Sequence, residues 1–213
     1  MRRIDPASWE RAGIYDFFSG VSNPFYMVTF KVDVTEARAW SKRTGHSFYL
    51  TMTWLCARAV NAVENFRYTI RDGEIWLLDE RHPSFTDLHP GSELFHITTQ
   101  RMLPDPAAFT ETARAKSLAQ TSFIEHGDET DDLIFISCLP RLRLTGLTNE
   151  RNLLAPGSAE SNIPSLSWGS YEKVGDRLEL CLSMEVNHRF VDGVHIQHFA
   201  EALEREIEAL ARR

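Results

Sequence analysis

Along residues 178–188 apolar side chains take every second position. Leu178, Leu180, Leu182, Met184 and Val186 alternate with Glu179, Cys181, Ser183, Glu185 and Asn187. That period of two predicts a half-buried strand, and His188 falls in its apolar phase. Beyond Asp192-Gly193 the spacing changes: Phe199, Leu203, Ile207 and Leu210 mark one stripe, with Glu201 and Arg205 set as an i,i+4 pair, which predicts a terminal amphipathic helix. Near the other end, residues 24–34 are β-branched and aromatic and read as a strand. Helices are expected on either side of it, over 7–18 and from Thr35, a candidate N-cap, to near Gly45.

The middle of the chain mixes both periods. Residues 47–63 carry Phe48, Leu50, Trp54, Leu55, Ala59 and Val60 on one helical stripe. Short strands are expected at 67–70, 74–78 and 94–99, with Arg71-Asp72-Gly73 turning between the first two. Pro104, Asp105 and Pro106 open a helix running to 119. Polar residues 121–132 predict a loop, 133–139 a strand covered on both faces, and 148–162 another loop. Strands mixed with helices, without repeat or linker, point to one α/β domain spanning 1–213, an α+β two-layer sandwich with a mixed sheet packed against helices.

Composition narrows the class. The 213 residues are 43% hydrophobic and 11% aromatic, sufficient for a sizeable core, and no apolar stretch approaches the ~20 residues of a membrane span. The start lacks an apolar leader segment, so an unprocessed cytoplasmic protein is expected. A formal charge of −7 argues against nucleic acid or an anionic membrane as partner. Cys56, Cys138 and Cys181 lack paired spacing, so neither disulfides nor a thiolate zinc site is expected. His188, His195 and His198 do not form a metal set either, because the final helix carries the last two away from the strand end.

The chemistry-bearing segment is Asn187-His188-Arg189-Phe190-Val191-Asp192-Gly193. On the residues alone two readings stay open. A histidine in the apolar phase at a strand end can be a neutral general base, and it can equally be a core histidine with Asp192 as the helix cap. Arg141, Arg143 and Arg151 could meet phosphates, and Arg141 and Arg143, two apart, could equally form one solvated strand face.

His-x-x-x-Asp-Gly at a late strand and terminal helix resembles the chloramphenicol acetyltransferase family, and is similar to the acyltransferase cores of 2-oxo-acid dehydrogenase complexes. The resemblance extends through Trp9-Glu10-Arg11, Phe17-Phe18, the segments at 57–66 and 67–72, Phe85-Thr86, 136–140 and Gly175-Asp176-Arg177-Leu178. It implies His188 as general base, Ser137 as oxyanion donor, and Asp192 paired with Arg11. It further implies an acceptor pocket lined by Phe17, Phe18, Phe95, Ile97 and Leu147, with Ser167 holding a water, and Tyr171 and Arg141 at the coenzyme A channel. By the same resemblance the protein is a homotrimer with active sites at subunit interfaces. It would bind no permanent cofactor and take acetyl-CoA as co-substrate, acetylating chloramphenicol or another hydroxylated small molecule in antibiotic resistance.

The sequence departs from the antibiotic enzymes at Asn187, where a second histidine is usual, and at Arg189, Phe18 and Arg141. Two other readings follow: a same-fold binding or regulatory module without turnover, and transfer to a dihydrolipoyl group. Slow acetyl-CoA hydrolysis that depends on His188 separates an enzyme from a silent module.

Overall fold

The structure is a computed structural model, described at residues 1–125, 127, 130–150 and 162–213. In chain order its strands are β1 (Arg2–Arg3), β2 (Phe25–Asp33), β3 (Tyr68–Arg71), β4 (Glu74–Leu77), β5 (His82–Leu88), β6 (Phe95–Thr99), β7 (Leu133–Cys138), β8 (Ser165–Trp168), β9 (Glu172–Val174) and β10 (Arg177–Asn187). Its α-helices are α1 (Ala12–Ser19), α2 (Thr35–Thr44), α3 (Phe48–Asn61), α4 (Pro106–Ala119) and α5 (Gly193–Ala211).

Among the described residues, the main sheet runs β2-β10-β8-β7-β5-β6, with β9 pairing β10. β5, β7 and β8 are mutually parallel and the remaining pairs antiparallel, so the sheet is mixed. A smaller sheet, β1-β4-β3, stands beside it. The β3–β4 turn has both central residues at positive φ, Asp72 at 53° and Gly73 at 76°. That is the backbone demanded by a two-residue hairpin that follows the strands' own twist.

One face of the main sheet carries the core. Leu180, Leu182, Met184 and Val186 of β10, Leu166 and Trp168 of β8, Ile134 and Ile136 of β7, and Phe85 of β5 are fully buried. Directly paired residues share a face, so this register makes one continuous apolar layer beneath the helices. The other face carries Phe135, Ser137, Ser165, Ser167, Ser183, Glu185 and Thr29.

The expectation of a β7 covered on both faces is therefore corrected: Phe135 is 42% exposed, because helices occupy one side of this sheet only. β10 departs from half-burial in the opposite sense. Ser183, Glu185 and Asn187 are buried as well as its apolar set, and residues 147–149 lie over Ser183 and Glu185 on the open face. The helix expected over 7–18 splits into a 3-10 turn (Pro6–Ser8) and α1, with Trp9 turned into an aromatic cluster between them. Thr35 is not the α2 cap; Asp33 Oδ1 accepts its backbone N–H at 3.0 Å instead. Most of the loop expected over 148–162 lies outside the described residues.

Buried Arg81 ties the small sheet to the large one. Its guanidinium donates to the carbonyls of Phe66, Tyr68, Asp131, Leu133 and Asn162 at 2.5–3.1 Å. Burial pushes its pKa down to about 9, which still leaves a cation at neutral pH.

After β7 the chain turns back over the end of β8, and Ser170 N–H donates to Leu142 O at 2.7 Å. A Cβ at Gly169 would stand 2.2 Å from that carbonyl. Gly169→Ala is expected to lift the turn from β8 and to destabilise the fold by about 1–3 kcal/mol, the usual range for overpacking. Urea denaturation checks this, and an unchanged midpoint would contradict it.

Candidate active site

Four consecutive carbonyls define the turn after β10. His188 O accepts from Arg11 Nη2 at 3.0 Å, Arg189 O from Arg11 Nε at 2.8 Å, Phe190 O from Asn65 Nδ2 at 2.8 Å, and Val191 O from the Tyr26 hydroxyl at 3.1 Å. None is left to water or to chance, and a fully bonded turn holds its side chains at fixed directions. Phe190 anchors the turn from inside, packed against Trp9, Tyr15 and Tyr68.

Arg11 does most of this holding. Besides the two carbonyls it grips Asp192 bidentately, Nη1 to Oδ2 at 2.6 Å and Nη2 to Oδ1 at 2.5 Å. A planar guanidinium alone can serve four acceptors in one plane, so lysine is no substitute. The Arg11 side chain is nearly buried, and its charge holds the Asp192 carboxyl below the usual carboxylate range. Asp192 also begins α5, its backbone N–H donating to His195 Nδ1 at 2.9 Å. That bond uses the His195 nitrogen and keeps it out of the His188 pocket.

The His188 ring stacks on Phe18 at 4.0 Å between centroids, and Tyr26 closes the other side at 4.4 Å. Its backbone N–H donates to Pro24 O, which fixes the ring's root to the start of β2. Nε2 lies 3.6 Å from Asp192 Oδ1, too far for a hydrogen bond, and neither ring nitrogen has a hydrogen-bond partner among the described residues. With 35% of the side chain accessible, the imidazole is anchored yet unengaged. Burial pushes its pKa below the ordinary 6.5; Asp192 opposes that shift and Arg11 reinforces it. The same burial, aided by Asp192, pushes the Tyr26 phenol up to about 12, so it remains a donor.

A second cluster lies on the open face. Ser137 and Ser167, adjacent across β7 and β8, share a hydrogen bond of 3.0 Å between hydroxyls. They line a cavity of about 280 Å³ with Ser84, Thr86, Ile97 and Asn149. Ser137 and Phe95 also border a neighbouring cavity of about 690 Å³ with Tyr49 and Cys138. Burial pushes the Cys138 thiol up to about 12, which leaves it unreactive beside the serine. Leu147 reaches this cluster through its backbone, and Phe17 sits exposed beside Phe18. Tyr171 packs edge-on against Phe48 and accepts a hydrogen bond from Arg38 Nε at 3.0 Å, while Arg141 is exposed after β7.

The structure thus brings Arg11, Phe18, His188 and Asp192 together, and separately Ser137, Ser167 and Ile97, but not the two groups. Ser137 is level with Ser183 of β10 through Ser167, and His188 lies five residues further on. At ~3.3 Å per residue and ~4.8 Å per strand the two are about 19 Å apart. They also occupy opposite faces, because His188 is in phase with Val186 and Ser137 with Ser183. Sequence reading missed Tyr26, Arg38 and Asn65. Only Tyr26 had a signal, its place opposite Val186 once β2 and β10 pair.

A mixed sheet under one helical layer, with a strand-end histidine held from the next helix, defines the acyltransferases built on the coenzyme A-dependent fold. A family model described as chloramphenicol acetyltransferase matches residues 1–204, and the chain belongs to that family. It is 29% identical over 205 residues to chloramphenicol acetyltransferase 2 of Escherichia coli, covering 95% of this chain and 94% of that one. Over 207 residues it is 29% identical to the Streptomyces acrimycini enzyme, covering 94% and 91%. A solved chloramphenicol acetyltransferase superposes with a TM-score of 0.87 at 27% identity, covering 97% of this chain and 99% of that one. The Azotobacter vinelandii dihydrolipoamide acetyltransferase gives 0.66 at 16% identity, covering 93% and 88%, a likeness of fold.

Two outcomes follow from the clamp. Arg11→Lys keeps the charge but cannot serve four acceptors; removing a partner from such a pair costs about 3 kcal/mol, so thermal denaturation should come several degrees earlier with most activity lost. A melting curve and rate matching the parent would refute the clamp. For pH, the active form of the base is the neutral ring, and its pKa is lowered. The kcat/KM of acetyl transfer should be level above pH 7 and fall with unit log slope only below 6.5. An acid limb centred above 6.5 would contradict the assigned burial.

Proposed function

We propose that the protein transfers an acetyl group from acetyl-CoA to a hydroxyl of chloramphenicol or a related hydroxylated small molecule, as a cytoplasmic enzyme conferring antibiotic resistance. The observation that carries this reading is the His188 imidazole, clamped by the Arg11–Asp192 pair and flanked by Phe18 and Tyr26, with neither ring nitrogen hydrogen-bonded among the described residues.

An alcohol is a weak nucleophile at pH 7, so the reaction needs a base at the acceptor hydroxyl. His188 takes that proton as the oxygen attacks the thioester carbonyl. The Ser137 hydroxyl donates to the oxyanion of the tetrahedral intermediate, with Ser167 beside it. Collapse expels the coenzyme A thiolate, and the imidazolium returns its proton to that sulfur, which restores the neutral base. No acyl-enzyme is needed, since holding both substrates together lowers the barrier by itself.

The distance between His188 and Ser137 within one chain supports sites formed between copies of the chain, which the family resemblance makes a homotrimer. The base of one copy faces the serine and acceptor pocket of the next, with Phe95, Ile97 and Leu147 on the serine side. Tyr171 and Arg141 take the coenzyme. Residues 1–213 act as a single domain, and neither a permanent cofactor nor a metal enters the chemistry.

Thiol release from acetyl-CoA should depend on chloramphenicol in the parent protein. It should fall about 10²–10⁴-fold in His188→Ala and about 10²–10³-fold in Ser137→Ala. Release that ignores chloramphenicol would remove that acceptor, and full activity in His188→Ala would remove the mechanism.

A further inference from the structure

The open face of the sheet holds one feature that the transfer chemistry leaves unused. Residues 147–149 run over β10 and are tied to it by side chains rather than by a ladder. The Leu147 N–H donates to Ser183 Oγ at 3.0 Å, and the Asn149 N–H donates to Glu185 Oε2 at 3.4 Å. Donors two residues apart thus meet acceptors two residues apart, which is the period of a strand. Ser183 is itself held by Thr29 at 2.9 Å, and its exposure is 2%; that of Glu185 is 7%. A Cβ at Gly146 would meet Thr29 Oγ1 at 3.6 Å, an ordinary contact that places this residue beside β2. Next along the chain, Asn149 and Glu150 line the 280 Å³ cavity with Ser84, Thr86, Ser137, Ser165 and Ser167.

We infer that Ser183 and Glu185 are positioning residues that pin the segment 147–150 as a strap over the acceptor cavity, and thereby set which hydroxylated acceptor is taken. This rests on the acetyltransferase reading for its substrate, but not for its geometry. The strap lends the cavity an amide and a carboxylate among hydroxyls, a lining that selects acceptors carrying hydrogen-bonding groups beside the hydroxyl to be acetylated. Loosening it should weaken the hold on the acceptor and leave the thioester side untouched. Buried side-chain acceptors suit this work, because packing fixes the direction in which they receive the N–H.

The test uses the full chain with Ser183→Ala, which removes the acceptor, and Ser183→Thr, which restores a hydroxyl; Glu185→Leu and Glu185→Gln form the corresponding pair. In Ser183→Ala and Glu185→Leu the KM for chloramphenicol should rise about fivefold, one lost hydrogen bond's worth, with the KM for acetyl-CoA unchanged. The threonine and glutamine variants should stay near the parent. Amide hydrogen exchange across 144–150, followed by mass spectrometry, should quicken in the first pair only. Exchange that is unchanged in both Ser183→Ala and Glu185→Leu overturns the strap whatever the substrate proves to be. Equal shifts in both KM values overturn its role in acceptor choice. A parent protein that leaves chloramphenicol untouched, with faster exchange in Ser183→Ala, overturns the substrate reading and upholds the anchoring.

Discussion

The contact on which the rest depends is the grip of Arg11 on the turn after β10. One guanidinium joins the N-terminal segment to Asp192 and to the carbonyls of His188 and Arg189, across 177–181 positions of sequence. Without it the imidazole would hang from an irregular turn at the end of an interior strand. With it the ring is held by its own backbone and by two aromatic neighbours, and among the described residues nothing takes its nitrogens. The ion pair is partly buried, so its worth lies less in net stability than in the single geometry it allows. Asn65 and Tyr26 complete what Arg11 begins, and every carbonyl from His188 to Val191 is spoken for.

Much of this was legible in the sequence, for identifiable reasons. β10 showed itself because one of its faces meets only helices, so Leu180, Leu182, Met184 and Val186 could not be anything but apolar. α5 was equally plain, since a surface helix must carry a stripe. The β3–β4 hairpin was written in Asp72-Gly73, a pair suited to positive φ. β5 was not legible. It begins His82-Pro83-Ser84, which shows no strand period, yet it is paired on both sides, with β6 nearby in sequence and with β7 some fifty residues on. β8 is four residues long, too short for a period to emerge.

The site was half legible for a related reason. His188, Asp192 and Gly193 lie close together, and local spacing displays them. Arg11 and Ser137 carry no local sign of their role; the family resemblance pointed to them. Neither spacing nor resemblance shows that His188 and Ser137 belong to opposite faces of one sheet. That follows only from register, which couples β7 to β10 through β8. Tyr26 and Asn65 were missed because each acts on a backbone carbonyl, and any strand or turn could have supplied one.

The face without helices gives the architecture its consequence. In the homotrimer proposed above, its hydroxyls, its exposed Phe135 and Met27, and the strap over β10 would form the surface that one copy offers to another, with the histidine of each at the far end. The proposed assembly makes the chemistry a property of two chains, and this can be measured directly. Co-expressing His188→Ala with Ser137→Ala subunits, each inactive alone, and assaying acetyl-CoA thiol release tests it. Restored activity is expected, because a mixed assembly regains sites pairing an intact histidine with an intact serine. Activity that stays absent in mixed assemblies of confirmed composition would contradict it.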